Sequence, residues 1–221
     1  MKKIILLAAV TLIGGAAIAQ STSTTKFGLK VGVSLPKYHF TNTDGDDYET
    51  EANTNFNVTG YADLPIASGF SIQPGISLQG KGSKTTGSAF GVNGESKDNS
   101  LYVEIPVNLV GKVPLGVTGA SLYLGAGPYA AFAVSGERKF TVESGGSSSE
   151  STSDLKFGND DNDDFKSGDF GVNILGGIQL DSGFNFGANY GIGLSDIRPG
   201  DNNDNGKITN RVLSFNVGYA F

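Results

Sequence analysis

Apolar residues recur at every second position in eight separate stretches of the chain, which is the period of a β-strand and not of a helix. Phe27, Leu29, Val31, Val33 and Leu35 make the first series, and Phe56, Val58, Gly60, Ala62 and Leu64 the second. Phe70, Ile72, Pro74, Ile76 and Leu78 follow, then Leu101, Val103, Ile105, Val107 and Leu109. The fifth is Leu122, Leu124, Ala126, Ala130, Phe132 and Val134; the sixth Phe170, Val172, Ile174, Ile178 and Leu180. Phe184, Phe186, Ala188, Tyr190, Ile192 and Leu194 precede a final series of Leu213, Phe215, Val217, Tyr219 and Phe221. Short or moderate connections at 65–69, 111–120 and 181–183 alternate with long polar ones at 41–53, 82–99, 136–167 and 198–209.

No Asp, Glu, Lys or Arg interrupts any of these eight series. A Lys or Arg at a lipid midplane costs about 2–4 kcal/mol, so eight clean faces are what lipid demands. The opposite face carries Lys30, Asp63, Lys81, Glu104 and Asp169 among Gly, Ser, Asn and Gln, and suits the inside of a barrel. A ten-residue strand rising about 3.3 Å per residue and tilted by about 45° spans roughly 23 Å, close to the ~25 Å apolar band of outer-membrane barrels. The prediction is an all-β fold: an eight-stranded antiparallel up-and-down transmembrane β-barrel with short periplasmic turns and long extracellular loops. Phe27, Phe70, Phe184, Tyr219 and Phe221 fall at strand ends, where an interfacial aromatic girdle sits. The rival is a soluble lipocalin-like ligand-binding barrel, with the same alternation turned inside out. Pro74, Pro106 and Pro128 lie inside predicted strands, where each removes a ladder hydrogen bond; bulges and a register shift are expected there.

The ends of the sequence agree with export. Lys2 and Lys3, the apolar run from Ile4 to Ile18 and Ala17-Ile18-Ala19 have the layout of a cleaved signal peptide at 1–19, leaving 20–221 as the barrel domain. No Cys stands near that site for lipid attachment, and none anywhere for a disulfide or thiolate metal site. Loss of Lys2 and Lys3 takes the net charge from −6 to −8, and no basic patch suited to nucleic acid is left.

Several segments resemble the PorT-like family of small bacterial outer-membrane β-barrel proteins. They are Ile72-Gln73-Pro74-Gly75-Ile76-Ser77-Leu78, the stretch Leu101–Leu109, Tyr123-Leu124-Gly125-Ala126-Gly127-Pro128-Tyr129, Asp169-Phe170-Gly171 and Tyr190–Ile197. The resemblance covers nearly all of the mature chain, includes the three prolines, and implies a structural barrel or one that assists secretion. The ending Leu213-x-Phe215-x-Val217-x-Tyr219-x-Phe221 also resembles the signal by which such barrels are recognised by the barrel-assembly machinery and inserted into outer-membrane lipid, with Phe215, Tyr219 and Phe221 its aromatic positions.

Catalysis has little to work with. His39 is the one histidine, placed between Tyr38 and Phe40 as an interfacial residue, and no enzyme is expected. Asp44–Asp47, Asp160–Asp164 and the segment from Asp201 make three acidic loops on the predicted outer side. Asp201, Asn203 and Asn205 at alternate positions before Gly206 match the opening of a calcium loop, but Val212 stands where the bidentate Glu belongs, so a solvated loop competes with weak calcium binding. Loop 136–167, with its Ser/Gly run from 144 to 153, reads as mobile exposed chain. Lys37 and Arg211 fall near the outer interface, within reach of lipid phosphates. The functions left open are a structural or surface-interaction barrel with an unidentified ligand, then a narrow porin-like pore, and last an enzyme that would have to use His39.

Overall fold

A computed structural model describes residues 24–89, 92–116, 119–160, 162–200 and 206–221. The expected signal segment 1–19 and the candidate calcium residues Asp201, Asn203 and Asn205 lie outside the described residues. The strands are β1 (Lys26–Thr41), β2 (Asp47–Glu49), β3 (Asn55–Ala67), β4 (Phe70–Ala89), β5 (Val92–Pro114), β6 (Ala120–Ser144), β7 (Ser147–Asp154), β8 (Gly168–Leu180), β9 (Phe184–Gly193) and β10 (Lys207–Ala220). Eight of them form an antiparallel ring in the order β1, β3, β4, β5, β6, β8, β9, β10. The ring closes where β10 returns to β1, paired from Gly28↔Ala220 to Thr41↔Lys207. Closure gives each wall strand two neighbours, so the backbone groups are satisfied within the wall.

Polarity across this wall is inverted relative to a soluble protein. The predicted apolar series face outward and are widely accessible, with Leu124 64%, Ile76 60% and Phe170 60% exposed. Buried instead are Ser34, Asn57, Asp63, Gln73, Lys81, Glu104, Asp169, Asn173 and Ser214. This overturns the lipocalin-like alternative, because a water-facing wall of Leu, Ile, Val and Phe around a charged interior has no driving force to fold. Phe27, Phe70, Phe184, Tyr219 and Phe221 gather at the end with the short turns, the periplasmic end in such barrels. The Phe184 and Tyr219 rings meet there edge-on at 5.1 Å. Phe56, Phe132 and Phe170, each at least half exposed, stand on the outer half of the wall.

The structure corrects two expectations about the strands. Register runs unchanged through the prolines: Pro74↔Val107 is followed by Ser77↔Glu104, Pro106↔Tyr129 by Leu109↔Ala126, and Pro128↔Val172 sits in an unbroken ladder. A missing N–H deletes a rung without inserting a residue, so register is preserved. The shifts occur elsewhere, between Pro65 and Ala67 and where Leu101↔Ser135 is followed by Tyr102↔Ala133. The long connections 82–99 and 136–167 are also not loops throughout. β5 and β6 are 23 and 25 residues long, or roughly 75–80 Å at about 3.3 Å per residue, so they run far beyond the apolar band. β4 accompanies β5 to Ala89↔Val92, and β6 turns at Gly145 and Gly146 into β7. Both turn glycines have positive φ, 58° and 83°, the backbone of a tight hairpin turn that L-residues rarely adopt. The Ser-rich run is therefore strand and not mobile chain.

Val31, paired with Val217 and Val58 near the middle of the lipid face, gives a direct test. Val31→Lys is expected to cost about 2–4 kcal/mol in a urea titration of the barrel refolded in lipid vesicles. A wild-type midpoint for that variant would contradict lipid contact at this position.

Candidate functional site

Between the wall strands the lumen is filled by two polar networks. In the outer one, the Lys81 ammonium lies 2.7 Å from Asp169 Oδ2 and 3.2 Å from Glu104 Oε2. Asp169 also accepts from Ser195 Oγ at 2.8 Å, Asn210 Nδ2 at 3.0 Å and the Tyr129 hydroxyl at 3.3 Å. Asn173 Nδ2 donates to Glu104 at 3.1 Å, and Lys81 stands over the Tyr129 and Tyr102 rings. This arrangement satisfies a fully buried carboxylate from four different strands or loops, which is the condition for keeping a charge out of water.

Nearer the periplasmic end Lys112 bonds Asp63, which also accepts from Gln73 Nε2 at 3.2 Å. Lys30 stands 4.3 Å from the centre of the Tyr61 ring and 5.7 Å from that of Tyr123. The structure thus brings Lys81, Glu104 and Asp169 together, and sets Lys30 and Asp63 in a second group with Lys112. Between the networks, Ser34 Oγ meets Ser214 Oγ at 3.0 Å and accepts from Asn57 and Gln79. A cavity of about 60 Å³ remains beside them. Its walls include the amide oxygens of Asn108, Asn189 and Asn216, which no protein donor reaches; the space suits the few waters that would satisfy them.

Glycine makes this packing possible. A Cβ at Gly28 would fall 2.3 Å from the Tyr61 ring, and one at Gly187 would fall 2.1 Å from the Tyr123 hydroxyl. The luminal tyrosines lie flat over bare backbone, so part of the glycine content is the complement of those rings.

The outer mouth is closed by the chain itself. Residues 155–160 and 162–167 cross it after β7, and Leu155 and Phe165 pack with Tyr38 and Ile197 in a buried cluster joined by Phe157, Phe40 and Ile208. Arg138 holds the crossing in place. It donates to both oxygens of Asp98 at 2.7 and 2.9 Å and to Asp164 at 3.0 Å. The hydrogen bonds it donates to Asp98 raise the Arg138 pKa above its ordinary value. His39 falls on the same outward side of β1 as Val31 and Val33. Its neighbours Tyr38 and Phe40 turn inward to the mouth cluster, while His39 lies between Asp47 at 3.5 Å and Glu49 at 3.7 Å. Lys37 bonds Glu49, and Arg211 donates to the Gly193 carbonyl at 2.7 Å.

Above the mouth, the ends of β4, β5 and β6 together with β7 form a four-stranded ribbon. Its two faces differ. One carries Lys84, Glu95, Lys97, Lys139 and Glu150, linked by ion pairs from 2.6 to 3.4 Å. The other carries Phe140, Val142 and Val92, 48%, 45% and 37% exposed, among Ser, Thr and Gly. Sequence reasoning missed Lys112, Asp98, Arg138 and this ribbon. Carrying the inward series on from Asn108 by two steps of two points to Lys112; the others lay in segments taken as loops. Phe215, Tyr219 and Phe221 stand on the outer surface at the end of the chain, and no cluster of three metal-ligating side chains occurs among the described residues.

Lys81→Met should leave Asp169 and Glu104 buried and uncompensated, costing about 3–5 kcal/mol in the same urea titration. Adding Asp169→Asn and Glu104→Gln should restore most of the loss; a triple variant as weak as the single one would reject the network account. A second expectation concerns the outer surface. Hydrogen bonds from Lys37, from Thr86 and then Lys84, and from Lys97 hold the carboxyls of Glu49, Glu51 and Glu95 below their ordinary values. Depressed carboxyls contribute fully above the ordinary Glu value of about 4.3 and progressively less as pH falls through their folded values. Hydrogen exchange corrected for its intrinsic pH dependence should therefore show 47–51 and 84–97 losing protection at acid pH before the wall strands do. Uniform loss across the chain would contradict this.

A family model described as outer membrane protein beta-barrel domain matches residues 5–221. A comparison with curated proteins finds no match. Among solved structures, the attachment invasion locus protein Ail of Yersinia pestis is similar at 14% identity and a TM-score of 0.41, over 90% of this chain and all of that one. Neisserial surface protein A is similar at 12% identity and a TM-score of 0.44, over 90% of this chain and all of that one. The N-terminal β-barrel domain of Pseudomonas aeruginosa OprF is similar at 10% identity and a TM-score of 0.31, over 87% of this chain and 97% of that one.

Proposed function

Because the chain belongs to the outer membrane protein beta-barrel domain family and is a bacterial outer-membrane protein, we propose that it works as a surface-recognition barrel: a sealed membrane anchor that presents its outer ribbon to an external partner. One observation carries this reading. The lumen is filled by ion pairs and capped by Leu155, Phe157 and Phe165, whereas the longest strands continue outward as an exposed sheet. Chain invested in an ordered structure beyond the membrane, over a lumen packed with its own side chains, suits contact better than transport. The PorT-like resemblance carried by 101–109 and 190–197 belongs to the same proposal, without a secretion role. Phe215, Tyr219 and Phe221 on the last strand are assigned to recognition by the assembly machinery, and the outer apolar faces to lipid contact.

Purified barrel in planar bilayers should give no discrete channels; regular conductance steps would favour the pore and displace this reading. In living cells, a photo-reactive residue at Ser151 should form adducts with external molecules, and one at Gly116 in a periplasmic turn should not. Adducts lacking at every ribbon position would reject the role of the ribbon.

A further inference from the structure

The outer edge of the ribbon is open. β7 pairs with β6 from Glu137↔Asp154 to Ser144↔Ser147, and no described residue pairs with its other side. All eight residues of β7 are exposed. An antiparallel strand directs the N–H and C=O of alternate residues to each side, so about four residues of β7 present both groups to water. Proteins ordinarily blunt such an edge with Lys, Pro, a bulge or a covering segment. Ser147-Ser148-Ser149-Glu150-Ser151-Thr152-Ser153-Asp154 contains no Lys and no Pro, and its pairing with β6 has no register shift.

The two faces beside this edge dictate what fits it. Residues 148, 150, 152 and 154 of β7 share a face with 143, 141, 139 and 137 of β6. On β6 and β7 that face holds four carboxylates, Glu137, Glu143, Glu150 and Asp154, against one ammonium, Lys139, while Lys97, Glu95 and Lys84 continue it away from the edge on β5 and β4. Residues 147, 149 and 151 share the opposite face with Val142 and Phe140, and the charge nearest them on that face is Arg138, opposite Ser153 at the mouth end and paired with Asp98. A strand added to β7 would therefore place its alternate side chains beside excess negative charge on one face and beside apolar side chains on the other.

A second copy in the same membrane is a poor occupant. Its β7 would run in the same direction along the barrel axis, which excludes the antiparallel, two-fold edge pairing of identical strands. The occupant is then an extended segment of another molecule. We propose that β7 is a docking edge for an extended peptide in which basic and apolar residues alternate, bound by strand addition. This rests on the surface-recognition reading and gives it a partner of stated chemistry.

The test uses the full barrel in nanodiscs of neutral phosphatidylcholine. The probes are an eight-residue peptide of alternating Lys and Val, an alternating Glu and Val peptide, and two Lys-Val forms N-methylated at all Lys or at all Val amides. Saturable binding of the Lys-Val peptide is expected, weakened at least about tenfold in one N-methylated form, since several backbone bonds are lost together. The exposed double substitution Glu150→Lys/Asp154→Lys should move the preference toward the Glu-Val peptide. Equal binding of both N-methylated forms would mean charge attraction without strand addition and would overturn the proposal. No binding, or an unchanged preference in the double variant, would overturn it too. If those outcomes come with adducts still forming at Ser151 in cells, the docking edge alone falls. Failure of both experiments removes the surface-recognition reading as well.

Discussion

Everything in this molecule follows from a medium that offers the backbone no hydrogen-bond partner. In hydrocarbon each unsatisfied N–H or C=O costs several kcal/mol, so a spanning sheet has to close. Closure here depends on β10 pairing with β1 along nearly the whole of β1, with Phe221 and Phe27 continuing the ladder through N–H···O bonds of 2.8 and 3.2 Å. The first and last strands are thus mutually dependent, although 165 residues lie between Thr41 and Lys207. A ring with that seam open would present two bare edges to lipid.

A closed wall of eight strands encloses too little space for a stream of water, and what fills it has to be polar because the apolar residues are spent on the outside. That restriction explains Lys81, Glu104 and Asp169 better than any chemical role. Three charges drawn from β4, β5 and β8, with Asn210 of β10 on Asp169, fix the relative heights of strands on opposite sides of the ring. Such a network adds little net stability, because desolvation offsets much of the attraction, but a slipped strand leaves charges unpaired. Tyrosines lying over luminal glycines act the same way by shape, since Tyr61 fits where Gly28 has no side chain and Tyr123 where Gly187 has none.

The membrane-spanning part was legible in the sequence for a physical reason. Lipid on one side and a packed polar lumen on the other make each position chemically unambiguous, so Phe27 to Leu35 or Leu101 to Leu109 read cleanly. Above the membrane both faces meet water, and the alternation that marks a strand fades. Ser147–Asp154 has no apolar residue to reveal it, and Lys84, Thr86 and Ser88 look like any polar loop. The mouth closure was hidden differently. Phe157 and Phe165 flank an acidic run, and composition outweighed the two residues that bury. The prolines misled because the loss of one rung was taken for a slip of the whole ladder.

The register shift opposite Leu101 and Tyr102 joins these parts. Below it, even-numbered residues of β6 face lipid, as Leu122, Leu124, Phe132 and Val134 do. Leu101 pairs Ser135 and Tyr102 pairs Ala133, so Val134 is one residue too many in β6. A single extra residue exchanges the two faces of everything beyond it. Above the shift the even positions turn inward: Arg138 reaches Asp98 and Asp164 over the mouth, and Phe140 and Val142 line the inner face of the ribbon. Without the extra residue Arg138 would point to the lipid side of the wall and the charges of Lys139 and Glu137 would crowd the axis. The shift lets one continuous strand serve two surroundings, with apolar residues outward where there is lipid and inward where there is water outside. It is also why the ribbon has a neutral face at all, since the even-numbered apolar series of β6 continues past the membrane on the other side of the sheet.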